Sequence, residues 1–476
     1  MHSKLRLFFI LIGLSSCVFS QNRVFLVTDY LNQVKLYNTG IRSSQHSQTS
    51  SQLRLKEAHF STTPVAFSSI KILSDKKETL QSFFMGEDSF FANTSFGIST
   101  TTDFGLKAKL YYAVDYTHLQ NTGSVPVTSY FDTSPVLEIS QSLLRNWGGE
   151  ETKAEQSILE TQIHAQFHID AFAIKKQLSE AEGKYWDLVL AIEKVKVQQE
   201  ALERAVKIKD WSTQRQTLHL ADASEGLQSN ANFTLRRLEF QSSVDDYKAS
   251  VRAFNKARGL RSDHLDETLD TLNETNVDHI SYPKKPEKRE DLVALEYALK
   301  MSESNAVLNK EKLKGSLEIF GSLSLNHKGT DLSQAPAYAA SFDHRSIGFG
   351  IQYTMLLDSD GLRDAQKGVE EKYLSESLRY QNTLFEQEQE WVDLIQKLEA
   401  AEKQLEISTA IESAQKEKWL YEQDRHRKGR STLYQVLLFE QDYIVSQFTK
   451  IKIKADILNM VAKLNLYGTY KGESNQ

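Results

Sequence analysis

The longest pattern of apolar and polar positions in the chain is helical. Between Leu357 and Leu466, Leu384, Trp391, Leu398 and Leu405 sit seven apart, and Leu394 and Ala401 follow two of them by three. That spacing is a coiled-coil seam. The run opens after Leu357-Asp358-Ser359-Asp360-Gly361, breaks at His426-Arg427-Lys428-Gly429-Arg430-Ser431-Thr432, and then resumes. At 1.5 Å per residue the first arm, about 65 residues, spans roughly 95 Å, too long for a compact core. An earlier stretch repeats the pattern. Ile174, Leu178, Ala181, Tyr185, Leu188, Ile192, Val195, Gln199, Leu202 and Val206 step by four and three alternately. A break near His219 to Gly226 follows, and a return helix carries Leu227, Ala231, Leu235, Leu238, Val244, Val251 and Phe254.

Other stretches alternate with period two. Val24 to about Phe60 reads as helix, with Leu31, Val34, Leu53 and Ala58 among its apolar positions. Pro64 to Ile72 then alternates as a strand through Val65, Phe67, Ile70 and Ile72. Ser74 to Phe91 reads as loop. Thr94 to His118 is strand-rich, with Phe96-Gly97-Ile98 and then Leu106, Leu110, Tyr112, Val114 and Tyr116, Asn121-Thr122-Gly123 is a turn signal, and Val136 to Leu144 is a further strand. Asn146-Trp147-Gly148-Gly149-Glu150 breaks the alternation and opens a helix. Gly259 to Asp291, rich in Asp, Glu and Asn and containing Pro283 and Pro286, is a linker. It is either a solvated connection or a small layer packed on the outside of the helices.

After the linker the order recurs. Arg289 to Lys314 is helical, Leu317 to Leu325 and Ile347 to Leu357 are strands around a loop at Gly329 to Pro336, and the long hairpin follows. Helix, strand, strand, long helix, long helix thus occurs twice. Leu143, Leu144 and Gly148 recur as Leu356, Leu357 and Gly361 at a constant offset of 213. An internal duplication is the reading. The expected organisation is a signal at 1–20, a first repeat at 21–258, a linker at 259–288, a second repeat at 289–470 and a tail at 471–476.

Composition sharpens this picture. Of 476 residues, 40% are hydrophobic and 25% charged, with only six prolines, which fits long amphipathic helices better than several compact cores. A net charge of −6 and the lack of a basic patch with interleaved aromatics argue against nucleic acid as a partner. Lys4 and Arg6 followed by the apolar run Leu7 to Leu14 form a secretory signal. Two processing sites compete. Val18-Phe19-Ser20 fits cleavage before Gln21, whereas Leu14-Ser15-Ser16-Cys17 fits a lipobox in which Cys17 is acylated. Cys17 is the only cysteine, so the mature chain has no internal disulfide to form. No later apolar run reaches 18 residues, so any crossing of a membrane falls to the strands.

With these elements in place the chain resembles the TolC-like outer-membrane efflux proteins. Leu137-Glu138-Ile139-Ser140-Gln141-Ser142-Leu143-Leu144-Arg145-Asn146-Trp147-Gly148 is similar to that family's strand-to-helix junction. Arg289-Glu290-Asp291-Leu292-Val293-Ala294-Leu295-Glu296 resembles the start of its second repeat. Arg425 to Leu433, followed by Val436-Leu437 and Glu440, resembles the tip of its second helical hairpin. The chain departs from the pattern where Ser142 and Met355 stand in place of proline, and where Ala221 stands in place of the first tip glycine, which bears on adaptor choice. The resemblance implies a mainly α fold with β: long antiparallel coiled-coil hairpins forming a trimeric α-barrel, and four strands per subunit contributing to a 12-stranded transmembrane β-barrel. It implies a homotrimer in the bacterial outer membrane with a periplasmic helical portion. It also implies docking on a periplasmic adaptor and an inner-membrane transporter, with export of small molecules or proteins. The alternative is a periplasmic coiled-coil adaptor or scaffold without a pore.

Function is expected to concentrate at the hairpin tips. Arg215, Asp222, Ser224 and Glu225 lie near the first tip, and Asp424, Arg425, Arg427, Gly429, Arg430 and Ser431 near the second. They are candidates for a gate or an adaptor contact, against the plainer reading of a solvated, capped turn. His164 and His168, four apart on a helix, have the spacing for a shared metal, but no third ligand is evident and two polar surface positions fit better. No catalytic, cofactor-binding or metal residue is assigned, and no cofactor is expected. Trp147, Tyr111, Tyr112, Tyr116 and Tyr130 are candidates for interfacial aromatic girdles.

Overall fold

The computed structural model describes residues 24–468 apart from 77–82, 84–85, 124, 219–221, 273–287 and 334–341. The chain divides into two compact units, one of Met1–Ser43, Ile174–Pro286 and Trp391–Gln476, the other of Ser44–Ala173 and Glu287–Glu390. In chain order the elements are α1 (Val27–Tyr37), α2 (Thr39–Arg54), a 3-10 segment (Leu55–Thr62), β1 (Val65–Asp75), β2 (Asp88–Thr101), β3 (Leu106–Gln120), β4 (Ser129–Ser142), α3 (Glu150–Thr217) and α4 (Ala223–Ala257). Then follow α5 (Glu290–Lys312), β5 (Ser316–Leu325), β6 (His327–Gly329), β7 (Arg345–Thr354), α6 (Ser359–Arg427) and α7 (Leu433–Leu464). The long helices have 68 and 69 residues, and their return partners have 35 and 32.

The helical unit is held by clusters along the seams. Tyr30, Leu178, Tyr185, Leu188 and Phe254 belong to its largest apolar cluster. The Tyr30 and Phe254 rings stack at 4.2 Å, and the Tyr30 hydroxyl donates to the Phe254 carbonyl at 3.1 Å. The Tyr185 hydroxyl donates to the Phe25 carbonyl at 2.7 Å. Burial pushes the Tyr185 phenol up to about 12, so it stays a neutral donor. The α6 seam is as expected from Trp391 onward: Leu398 and Ala401 are buried against Ile457 and Leu464, flanked by Trp391, Leu394 and Leu405, while Leu384 lies outside this cluster.

The α3 seam is only half as expected. Leu178, Ala181, Tyr185 and Leu188 are buried, but further on the buried positions are Val197, Ala201 and Ala205, while Gln199 and Val206 are exposed. A straight helix drifts about 20° per heptad against a strict seven-residue repeat. The partner also changes, from Tyr30 and Phe254 to Ile444 of α7. The first part of the linker is not merely solvated. Leu269 and Leu272 are buried in the main cluster, Phe25 bridges Leu269, and the buried Arg258 guanidinium pairs with Glu267. Pro283 and Pro286 lie outside the described residues.

The other unit contains one antiparallel sheet in the order β1-β2-β3-β4-β5-β7, with β6 continuing the line of β5 along β4. Among the described residues this chain's sheet holds six long strands and one short strand, against the four expected of each subunit. The stretch from Thr94 to His118 is two strands. They are separated by a tight turn in which Gly105 has φ +86° and its amide donates to the Thr102 carbonyl at 2.9 Å. The expected loop at Ser74 to Phe91 likewise contains the end of β1 and the start of β2.

The register sorts the side chains by face. Val65, Ser99, Lys109, Glu138, Ser322 and Gly348 stand level across the six strands and share one face. The opposite face carries Ile70 and Ile72 on β1, Phe96 and Ile98 on β2, Leu110 and Tyr112 on β3, Ile139 on β4, and Ile347, Phe349 and Ile351 on β7. Most of these are exposed, Ile347 and Phe349 at 73% each. Of the girdle candidates, Tyr112 and Tyr116 lie on the apolar face. Tyr111 and Tyr130 lie on the other face, and the Tyr111 hydroxyl donates to Glu138 at 2.8 Å.

β4 enters α3 through a junction with no room for a side chain at Gly149. Asn146 is left-handed at φ +60°, its side chain accepts from the Thr152 amide at 3.1 Å, and Arg145 Nε donates to Glu151 at 2.8 Å. Gly149 has φ +81°, and a Cβ there would lie 1.7 Å from the Asp103 carbonyl oxygen, whereas a Cβ on Gly148 would meet nothing within 4 Å. Gly149→Ala should therefore cost about 3 kcal/mol or more, and Gly148→Ala only the backbone strain of about 1 kcal/mol. Thermal unfolding in detergent checks this, and equal losses would refute the close-approach argument.

Candidate channel wall and hairpin tips

Two regions collect the polar chemistry. The first is the non-apolar face of the sheet. Strand alternation sends Lys107, Lys109, Asp115, Glu138 and Glu318 to that face, and the register sets them side by side. Lys107 Nζ lies 3.4 Å from Glu318, Lys109 Nζ lies 3.9 Å from Glu138, and the Asn93 amide donates to Asp115 at 2.8 Å. The Ser69 and Ser95 hydroxyls are 2.8 Å apart. Lys109 also sits over the rings of Phe67 and Tyr111, at 4.9 and 4.6 Å. Charges of both signs, partly exposed and loosely paired, suit a water-lined surface.

The second region is the tips. The α3–α4 tip carries Arg215, which pairs with Glu225 at 3.2 Å and stacks on Trp211 at 4.6 Å. Asp222 caps α4 at its N-terminus, its carbonyl accepting from the Glu225 amide at 3.1 Å, although its side chain makes no cap bond. At the α6–α7 tip Gly429 has φ +71°, and its amide closes the turn on the His426 carbonyl at 2.9 Å. Arg425 donates to Glu422 and to the Arg430 carbonyl, at 3.2 and 3.1 Å. Asp424 pairs with Lys428, and the Ser431 hydroxyl donates to Glu422. Thr432 caps α7 through the Gln435 amide at 3.4 Å. Arg427 donates to Gln423 at 3.4 Å, and Arg427, Lys428 and Arg430 are exposed.

The two tips meet. A cleft of about 720 Å³ is lined by Arg215, Asp222, Ser224 and Glu225 from one and by Arg427, Gly429 and Ser431 from the other. Asp424, Arg425 and Arg430 do not line it. Sequence reading missed Trp211 and His426, whose rings meet edge-on at 5.2 Å across the cleft. An aromatic and a histidine close to two predicted turns were the available signal.

Other expected sites resolve differently. His164 and His168 are half-buried rather than at the surface. Both stack on Tyr297, at 5.0 and 5.5 Å, and His168 Nδ1 is 2.7 Å from Glu290. No cluster of three metal-ligating side chains occurs among the described residues, nor any helix long and apolar enough to cross a membrane. Cys17 and Ala221 lie outside the described residues.

No family model matches the chain, and no curated protein matches it by sequence. Solved structures do. The outer membrane protein VceC from Vibrio cholerae superposes with a TM-score of 0.69 at 11% identity, over 93% of this chain and 96% of that one. CusC, described by its transmembrane channel formation, superposes at 0.67 with 12% identity and 95% of both chains covered. The CmeC outer membrane channel of Campylobacter jejuni superposes at 0.66 with 15% identity, over 93% of this chain and 85% of that one. The chain has the fold of the TolC-like outer-membrane channels.

His426 gives the tips a pH dependence. Burial lowers its pKa below the ordinary 6.5, with Arg215 acting in the same direction and Glu225 and Glu422 opposing. The unfolded tip therefore binds the proton more readily, so this contribution to stability is complete above pH 6.5 and declines as pH falls below it. The Trp211 fluorescence difference between wild type and Trp211→Phe should fall on acidification with a midpoint under 6.5. His426→Gln should abolish the step, and a midpoint at or above 6.5 would refute the burial account.

Proposed function

We propose that this protein is the outer-membrane channel-tunnel of a tripartite efflux or type I secretion system. It works as a homotrimer, carrying small molecules or proteins across the periplasm and outer membrane. The observation that carries this reading is the two-faced sheet: one exposed apolar face for lipid, and one face of paired charges and hydroxyls for a water-filled lumen. The likeness to outer membrane channels across nearly the whole chain supports it. A pore-free periplasmic adaptor would have no use for an exposed apolar sheet face. The recurring order of helix, strands and two long helices supports descent of the chain from a duplicated half, with the 21–258 and 289–470 repeats joined by the 259–288 segment.

In this reading the helices stand in the periplasm. The tips meet a periplasmic adaptor, and through it an inner-membrane transporter. The tip residues hold the closed state by many weak pairs. Exposed pairs of this kind are worth about 0–1 kcal/mol each, but three copies acting together bias a two-state gate.

Two measurements test the reading. On fractionation the protein should sit in the outer membrane and run as a trimer on an unheated gel; a soluble monomer would sink the proposal. In planar bilayers, Asp222→Ala combined with Arg427→Ala should raise the closed-state current. An unchanged current would remove these two from the gate while leaving the channel standing.

A further inference from the structure

The sheet ends in two open edges. Among the described residues β1 pairs within the sheet only with β2, and β7 only with β5. β1 runs away from the end of the sheet at which β4 enters α3, and β7, five strands later in an antiparallel order, runs back toward it. The two edges are therefore antiparallel to each other and match in length, at 11 and 10 residues. Along the level line that begins at Val65, the first residue of β1, the matching residue of β7 is Gly348, six residues short of its end at Thr354. The sheet is a staircase. A step of six residues, about 20 Å, over five strand spacings, about 24 Å, is a strand tilt of roughly 40°. Closed barrels tilt their strands by about 35–45°.

We propose that each copy contributes all six long strands to the pore, with β1 of one copy laid antiparallel on β7 of the next. The homotrimer then closes as an eighteen-stranded barrel rather than a twelve-stranded one. The proposal rests on the channel reading above and deepens it. Setting Val65 opposite Thr354 places Phe67 opposite Gln352, Ile70 opposite Phe349 and Ile72 opposite Ile347. Apolar residues then meet apolar residues on one face, and Ser69 and Lys71 join Gly348, Gly350 and Gln352 on the other, beside Val65 and Phe67. A slip by one residue would send every side chain of one edge to the wrong face. The hairpin β1–β2 makes the difference, since without it β3 would become the edge. Barrel diameter grows about linearly with strand number, so the pore is about one and a half times as wide as twelve strands would make it. Its lining of serine, asparagine and paired charges suits bulky hydrated solutes.

Cysteine pairs in the full chain distinguish the two closures, with Gln352→Cys common to both. Under eighteen-strand closure Phe67→Cys with Gln352→Cys crosslinks neighbouring copies on mild oxidation, giving covalent dimers and trimers on a non-reducing gel. Val65→Cys and Ser69→Cys in place of Phe67→Cys cover slips of two residues, and Gln352→Cys alone stays monomeric. Under twelve-strand closure the seam would be β3 on β7, and Lys109→Cys with Gln352→Cys would crosslink instead. Crosslinking through Lys109, or through none of the pairs while the unheated protein runs as an outer-membrane trimer, overturns the six-strand seam and leaves the channel reading intact. Absence of the trimer itself removes both.

Discussion

A β-sheet must satisfy its backbone groups along every edge and bury, wet or grease both of its faces, and this sheet does neither alone. Among the described residues its outer strands pair within the sheet on one side only, and much of one face is isoleucine, phenylalanine, leucine and tyrosine exposed to solvent. In water such a surface aggregates, and in lipid the open edges cost several kcal/mol per unsatisfied group. Both liabilities disappear together when copies close edge to edge with the apolar face outward. The antiparallel order, the even number of long strands and the stagger are all consistent with that one requirement. So is the junction at Asn146–Gly149, where two left-handed glycines turn the chain from strand to helix within a few residues.

The helical unit meets a different constraint. Its helices are too polar for a thick core, so burial is narrow and several buried polar side chains are held by specific hydrogen bonds. Tyr30 and Tyr185 are buried because their hydroxyls find the carbonyls of Phe254 and Phe25. The fully buried Glu440 of α7 takes a 2.6 Å hydrogen bond from Arg204 of α3, and Arg204 in turn lies 5.3 Å from the Trp419 ring. Removing one member of such a pair strands the other, at about 3–5 kcal/mol. These contacts fix which residues of neighbouring helices oppose one another, and so deliver the two tips to the same cleft with Trp211 and His426 face to edge.

Much of this was legible because period 3.6 and period 2 survive in a single sequence. The α6 seam, the break at Gly429, the opening of α3 at Asn146–Glu150 and the alternation of β1 all follow from residue spacing. The far end of the α3 seam did not, because burial there depends on Ile444, more than two hundred residues away, rather than on the heptad itself. Turn chemistry was missed at Thr102–Gly105, where four residues ending in a left-handed glycine divide the strand-rich stretch into two strands. The contents of the tip cleft were named in half: the charged residues stand out in a sequence, but the contact of Trp211 with His426 exists only when two separate hairpins end at one place.

The strand number shows how a resemblance and a residue pattern compete. The alternation through Val65, Phe67, Ile70 and Ile72 is as regular as that of any later strand, yet the count of four came from the family pattern. At 11–15% identity a shared fold constrains the order of helices and the direction of strands far more than their number, because adding a hairpin to an antiparallel meander disturbs no existing pairing. It adds two strands of opposite sense, leaves the chain at the same end of the sheet, and preserves the alternation of faces. Here β1 and β2 extend the meander with eleven paired residues between them, and β2 binds β3 along fourteen. The ladders make β1 and β2 part of the same continuous sheet as β3 to β7.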